Sequence, residues 1–384
     1  MLLVKKSGVL LLCSMTTLVL LCMNTHIGSN LLTKEKKTMN DLKHQYSQYD
    51  VNFENKSDDI TLAGTLTVPR SNKPVPAVLL VPGMGPNDRD YTMMGHKLFL
   101  VLAEYLTQQG IAVLRYDKRG VGQSTGTYNN MLTSEDFARD AVAGIEYLSN
   151  RPDIDHTHIG IIGHSEGGMI AAMVAAQLPS IAFTILLAAP ANTSVETILM
   201  QVSKQLQADG ASDAVIAADR KLRSQLLTIA KEETNAQAAK AHMHAIIKEY
   251  LQDLSEEQLL ESKKLPFAIT PENADGMASM FNSPWYRFFL TYDPTISLRK
   301  LTMPVLALNG DHDWVALSNI TLPIIEQSLK TAGNKDYTVR ETKNMNHWFQ
   351  TCQTGALVEY GTIQETMSPV VLQIIAQWIK EKIS

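Results

Sequence analysis

His158-Ile159-Gly160-Ile161-Ile162-Gly163-His164-Ser165-Glu166-Gly167-Gly168 is the stretch whose reading decides the fold. A mostly apolar, isoleucine-rich run ends in Gly163-His164-Ser165-Glu166-Gly167, and a small-residue helical pattern, Met169–Leu178, follows at once. A G-x-S-x-G set between a strand and a helix acquires a meaning that the pentapeptide alone lacks. Ser165 must sit on a sharp, strained turn with its hydroxyl pushed out. Side chains at positions 163 and 167 would then collide with the neighbouring strand and helix, so glycine is required at both.

On either side of this stretch the chain alternates. Val51–Asn55 and Ile60–Val68, joined by Lys56-Ser57-Asp58-Asp59, read as an antiparallel hairpin. Ala77–Val81, Ile111–Tyr116, His158–Ile162, Ile181–Ala189, Val305–Asn309 and Tyr337–Glu341 read as strands, most of them short continuous apolar runs of the buried type. Between them, helical spacing covers Lys97–Gln109, Thr133–Asn150 (with Ser134 as its cap), Pro323–Ala332 with proline at its start, and a closing Ser368–Lys382. The expected fold is α/β: a doubly wound, mostly parallel sheet with an antiparallel start.

Between Pro190 and Met303 the alternation stops. Val195–Ala208, Ala214–Glu232 and Asn235–Leu254 favour helix and show almost no strand signal. A gap of this length far exceeds an ordinary loop, so it is read as an inserted helical cap. Its methionines and aromatics (Met200, Met243, Met277, Phe281, Trp285 and Phe288 among them) either line an apolar pocket or pack the cap against the body, and packing is the expectation.

Lys5 and Lys6 precede the uncharged Gly8–Met23 run, the pattern of an export signal. No A-x-A-like pair follows it, and Leu21 stands before Cys22 where a lipoprotein box has a small residue. Cleaved, lipidated and retained outcomes stay open. The chain is expected to be exported across the cytoplasmic membrane, secreted or membrane-anchored through this segment. The expected organisation is a signal peptide or anchor over 1–28, a polar linker over 29–49, a core in two parts over 50–191 and 300–384, and the cap over 192–299.

Composition narrows the classes. Over 384 residues the formal net charge is -5, and the body has no dense basic patch, which argues against a nucleic-acid partner. Cys13 and Cys22 lie in the leader, so Cys352 is the body's single thiol and no internal disulfide is expected. No histidine- or cysteine-rich spacing suggests a metal, and no motif calls for a cofactor. Asp117-Lys118-Arg119-Gly120-Val121-Gly122 is glycine-rich but has neither the Walker lysine nor the G-x-G-x-x-G spacing of a phosphate cradle. Oligomeric state is not readable.

A serine hydroxyl needs a base, usually a histidine oriented by a carboxylate. In an open α/β sheet such groups come from loops at the carboxyl ends of strands. After Val305–Asn309 come Asp311, His312 and Asp313; after Tyr337–Glu341 comes Asn346-His347-Trp348. The order Ser165, Asp313, His347 is that of one serine-hydrolase architecture. His156, His158, His164 and His312 are expected to be structural or surface histidines.

With these residues in place, the chain resembles the α/β-hydrolases of the capped esterase, thioesterase and serine aminopeptidase group. The resemblance runs from about Val51 to the C-terminus, weakest over the cap. Members commonly carry G-x-x-D-x-x-V at the acid loop, which falls on Gly310, Asp313 and, one residue early, Val315; this implies Asp313 as the orienting acid, with Asp311 as runner-up. It also implies two backbone N–H donors for an oxyanion: Glu166, directly after the nucleophile, and Met84 in Gly83-Met84-Gly85-Pro86, with Gly85 as fallback. Pro82 stands where many relatives have histidine. Asn87-Asp88-Arg89-Asp90 is expected to be an ion-pair cluster, and Asp117 with Arg119, in a D-x-R-G-x-G-x-S loop, to brace the site.

The implied activity is hydrolysis of a small-molecule acyl substrate through an acyl-enzyme, an ester first because its leaving group demands least of the general acid. Aminopeptidase or amidase, thioesterase and acyltransferase chemistry use the same triad. A non-catalytic binding role ranks last, since no triad position is missing, and dehalogenase relatives carry aspartate where Ser165 stands.

Overall fold

The computed structural model describes residues 46–129 and 131–384. The expected leader over 1–28, and the linker up to residue 45, lie outside the described residues. Strands β1 (Tyr46–Asn55), β2 (Ile60–Pro69), β3 (Val75–Val81), β4 (Ala112–Tyr116), β5 (Ile154–His164), β6 (Phe183–Leu187), β7 (Val305–Gly310) and β8 (Tyr337–Thr342) form one eight-stranded sheet. Their spatial order is β1-β2-β4-β3-β5-β6-β7-β8. β1 and β2 pair antiparallel, β2 meets β4 antiparallel, and from β4 to β8 every pairing is parallel.

The helices are α1 (Leu98–Gln108), α2 (Ser134–Ser149) and α3 (Glu166–Ala175), then an all-helical run between β6 and β7. That run holds α4 (Val195–Ala208), α5 (Asp213–Glu232), α6 (Ala236–Asp253), α7 (Glu256–Ser262), α8 (Ala274–Phe281), α9 (Pro284–Thr291) and α10 (Thr295–Leu298). α11 (Ser318–Thr331), α12 (Leu357–Tyr360) and α13 (Pro369–Lys382) complete the chain.

The central strands read as unbroken apolar runs because both faces are covered. Alternate residues serve opposite sides: Ala77, Leu79 and Val81 of β3 join the cluster of α2, α3 and α11, whereas Val78 and Leu80 join that of α1 and α13. Phe137, Ala141, Ile145 and Leu148 of α2, at helical spacing, fill the first cluster. The inserted run has a core of its own, where Met243, Met277 and Phe281 pack with Leu226 and Ile247, while Trp285 and Phe288 lean on the body's cluster. Five of its helices start at Ser194, Ser212, Asn235, Ser255 and Ser283, whose side chains accept backbone N–H groups of the first turn.

Some boundaries differ from the sequence reading. β1 starts at Tyr46, inside the expected linker, because its ladder with β2 runs from Asn55↔Ile60 out to Tyr46↔Pro69; as an edge strand it carries polar residues freely. Thr133, not Ser134, caps α2, in a reciprocal box with Asp136. α11 begins at Ser318, so Pro323 lies inside the helix rather than at its start, at the cost of one backbone hydrogen bond.

Candidate active site

β3, β5, β7 and β8 all end at the same edge of the sheet, and β3 and β5 flank the point where strand order reverses. Ser165 follows β5 with φ 57 and ψ -129, outside the regions an ordinary residue adopts. Its own N–H donates to Leu187 O at 2.9 Å, which pins the turn to β6. The glycines are sterically obligatory. A Cβ on Gly163 would overlap the Gly167 carbonyl, and one on Gly167 would overlap the Val81 carbonyl.

Asp313 is 1% exposed, and its Oδ1 accepts the Val315 and Ala316 N–H groups at 2.8 and 2.7 Å. Its Oδ2 lies 2.8 Å from His347 Nδ1. A carboxylate only accepts, so Nδ1 carries the proton and Nε2 is left with a free lone pair. Asp311 turns instead to His312 Nδ1 at 2.8 Å and to Lys343 Nζ at 3.6 Å. Geometry therefore separates the two aspartates, and Asp313 is the one on His347.

The histidine and serine loops are joined through His164. Its buried ring places Nε2 2.8 Å from His347 O and Nδ1 3.3 Å from the Tyr91 hydroxyl. Burial, followed by the neighbouring His347, pushes the His164 pKa down to about 3, so the ring is neutral at ordinary pH. Ser165 Oγ makes no hydrogen bond among the described residues. Nucleophile–base contacts often tighten only with substrate bound.

Gly83 approaches the elbow closely: a Cβ there would stand 2.9 Å from Ser165 Cβ. Burial raises the Tyr91 and Tyr128 pKa values, and the Gly83 and Gly85 amides, which face these hydroxyls, oppose the rise. Of the two candidate donors in this loop, the Gly85 amide faces the Tyr128 hydroxyl, while Met84 N–H has no partner among the described residues. Asn87 Nδ2 reaches back to Gly83 O at 2.9 Å and Met84 O at 3.0 Å.

Arg89 lies bidentate on Asp117, at 3.2 Å from Nε to Oδ1 and 2.8 Å from NH2 to Oδ2. Burial alone would raise the Asp117 pKa, but the Arg89 side chain and the Gln123 and Arg89 amides outweigh it and hold the carboxyl below its ordinary value. Asp117 and Arg119 each tie this loop to other segments, through separate partners. Arg119 crosses to Asp140 and Asp58, both at 2.7 Å. Gly122 has φ 55, and a Cβ there would run into the Asp117 carboxylate.

The side-chain contacts of three residues, Lys118, Glu166 and Trp285, escaped the sequence reading. Lys118, 1% exposed, donates from Nζ to Gly83 O at 2.6 Å. Glu166 is buried, and its Oε1 accepts Ser134 Oγ at 2.6 Å and Trp285 Nε1 at 2.7 Å. Trp285 belongs to α9, so the helical insertion is bonded directly to the residue after Ser165. Only the "DKRG" and "SEGG" strings carry a trace of this, and neither shows that the two charges meet.

A cavity of about 670 Å³ lies between α4, α5 and the acid loop, lined by Met200, Ile216, Trp314 and Leu317 with Asp313 at its edge. It touches neither Ser165 nor His347, so it is a side groove rather than the reaction centre. Burial and then Glu359 push the Cys352 thiol up to about 11, which makes it a poor nucleophile at neutral pH. Among the described residues no group of three or more His, Cys, Asp or Glu is arranged to hold a metal. No described helix is long and apolar enough to cross a membrane.

The family model described as serine aminopeptidase, S33, matches residues 73–279. The esterase EstD of Thermotoga maritima is 34% identical over 166 residues, 42% of this chain and 39% of that protein. The chain spans about two fifths of the length of the curated relatives it matches. Among solved structures, the Pyrococcus furiosus esterase Pf2001 superposes with a TM-score of 0.51 at 16% identity, over 90% of this chain and 91% of that one. The α/β hydrolase GrgF from Penicillium sp. sh18 does so with a TM-score of 0.51 at 16% identity, over 88% and 99%. At such identities the likeness is one of fold, and the fold is that of the α/β-hydrolases. The family match extends over more than half of the chain, and the chain belongs to this serine aminopeptidase-like family of α/β-hydrolases.

Proposed function

We propose that this member of the S33-type α/β-hydrolases is a carboxylesterase acting through a serine acyl-enzyme. The observation that carries the reading is the meeting, at one sheet edge, of a strained serine elbow and an Asp313–His347 pair 2.8 Å apart. Ser165 Oγ attacks the ester carbonyl while His347 Nε2 takes its proton. Asp313 holds the imidazole through Nδ1 and stabilises the imidazolium. The Met84 and Glu166 amides receive the oxyanion, His347 returns the proton to the leaving alkoxide, and water repeats the sequence on the acyl-enzyme.

Ester rather than aminoacyl amide is favoured by a second observation. A substrate's free amine would need an acidic partner near the nucleophile. The carboxylate nearest in sequence, Glu166, is 3% exposed, already bonded to Ser134 and Trp285, and faces Lys118. The 34% identity to an esterase points the same way.

The deciding experiment is steady-state hydrolysis of p-nitrophenyl esters of graded chain length by wild type and Ser165→Ala. Wild-type turnover should fall by about 10³-fold or more in the variant, with loss of fluorophosphonate labelling. Unchanged turnover in Ser165→Ala would refute the proposal, and activity on aminoacyl p-nitroanilides but not on esters would move the substrate to amides.

A further inference from the structure

Lys118 is a lysine in a loop, yet its side chain is 1% exposed. An ammonium taken out of water costs several kcal/mol unless its charge and its hydrogen bonds are matched. Burial accordingly pushes its pKa down, and Glu166 opposes the shift. Its surroundings are specific. Nζ donates to Gly83 O at 2.6 Å, lies 3.9 Å from Glu166 Oε2, and sits 4.2 Å from the centre of the Phe137 ring. Glu166 Oε2 has no hydrogen-bond partner among the described residues, so the lysine is the nearest charge that offsets it. One buried cation therefore stands between Gly83-Met84 and Glu166, the two segments whose amides would receive an oxyanion.

The peptide unit gives that position its consequence. In a trans peptide the carbonyl of one residue and the N–H of the next point in opposite directions from one rigid plane. Whatever holds Gly83 O therefore fixes where Met84 N–H points. Two donors hold it: Lys118 Nζ, and Asn87 Nδ2 at 2.9 Å. The peptide is otherwise easy to turn, because Gly83 precedes it and Gly85, at φ 105, follows Met84. The amides on either side face the Tyr91 and Tyr128 hydroxyls, and Met84 N–H has no partner among the described residues.

We propose that Lys118 is a positioning residue for the reaction: by gripping the Gly83 carbonyl it keeps the Met84 N–H aimed at the oxyanion, and its contact with Glu166 ties that donor to the second one. The proposal rests on the reading of this site as a serine esterase. Lys118 touches no reacting atom and acts through the peptide it holds.

The test compares wild type, Lys118→Met, Asn87→Ala and Ser165→Ala as full chains. It measures kcat and KM on p-nitrophenyl butyrate, the inhibition constant of a trifluoromethyl ketone, and the unfolding midpoint. Losing one oxyanion donor typically lowers kcat by about 10²–10³-fold. Lys118→Met is expected to approach a hundredfold loss in kcat with KM within about threefold. Ketone affinity should fall in parallel, because that adduct carries the oxyanion. A merely structural role would lower the unfolding midpoint without this parallel. A folded Lys118→Met with wild-type kcat and ketone affinity overturns the proposal. Should Lys118→Met not fold, Asn87→Ala decides, since it removes the other hold on the same carbonyl; wild-type kcat there is equally fatal. Turnover surviving in Ser165→Ala overturns the esterase reading and the positioning role together, whereas full turnover in Lys118→Met with Ser165→Ala inactive overturns the positioning role alone.

Discussion

Acid should destabilise this protein through one residue beside the nucleophile, His164. Its ring is 1% exposed and bonded on both nitrogens. Nε2 faces the His347 carbonyl, which only accepts, so the proton sits on Nε2 and Nδ1 accepts from the Tyr91 hydroxyl. A second proton would have to go onto Nδ1, in a dry site with the His347 ring 4.8 Å away, centre to centre. Burial first and His347 second bring the pKa from 6.5 to about 3 in the folded protein. In the unfolded chain the group regains its value near 6.5 and binds a proton below it. Between those two values the unfolded state binds more protons than the folded state, so stability falls as pH falls. The slope is about 1.4 kcal/mol per pH unit, and the loss totals roughly 5 kcal/mol below pH 3. At pH 7 the effect is nearly nil, and at pH 4.5 it is roughly 2–3 kcal/mol. Other groups also titrate in this window, so the measurement is a difference of differences. Urea unfolding followed by circular dichroism would be run at pH 7 and pH 4.5 on wild type and His164→Gln, whose amide nitrogen replaces Nε2 without titrating. Wild type should lose roughly 2–3 kcal/mol more than the variant on acidification. Equal losses in the two proteins would show that His164 is not held neutral by its surroundings.

Two further outcomes follow from the site's geometry. Asp313→Asn should lower esterase kcat by about 10³–10⁴-fold through the wrong imidazole tautomer. Asp311→Asn, whose contacts are with His312, Lys343 and the Met345 amide rather than with the His347 ring, should stay within about tenfold; steady-state kinetics on one ester decides, and the reverse ranking would make Asp311 the orienting acid. Gly167→Ala drives a Cβ into the Val81 carbonyl, so the chain should lose more than about 4 kcal/mol in urea unfolding or fail to accumulate as soluble protein. A soluble variant of near wild-type stability would show that the elbow yields where the packing says it cannot.

What the sequence reveals here, and what it conceals, divides on how far apart the interacting residues lie in the chain. The central strands are legible because burial on both faces demands unbroken apolar runs, and the elbow because its glycines admit no Cβ. The triad candidates are legible because each follows a strand and the topology brings those strand ends to one edge. Local errors have local causes. Ser134 looks like a helix cap, but its hydroxyl is taken by Glu166, so Thr133 caps instead. Pro323 suggests a helix start, but α11 tolerates it within.

The larger omissions are of another kind. Asp117 and Arg119 are expected to brace the site, but the partners through which they do so, Arg89 and Asp140, lie 28 and 21 residues away. Lys118 stands in the sequence only as part of the Asp117–Gly122 loop. Nothing within ten residues shows that it is enclosed by Gly83, Phe137 and Glu166, or that Glu166 is bonded in turn to Trp285, 119 residues on. The groups that would make and break bonds are specified by type and chain order, which a sequence displays directly. The groups that hold the Gly83 carbonyl and bond the helical insertion to the elbow are specified by three-dimensional adjacency alone. A charge-neutral packing of this kind leaves no periodicity, because each member contributes one side chain from a different element. The link between the insertion and the elbow belongs to that second category: it runs through the Trp285–Glu166 hydrogen bond, a contact that no local pattern encodes.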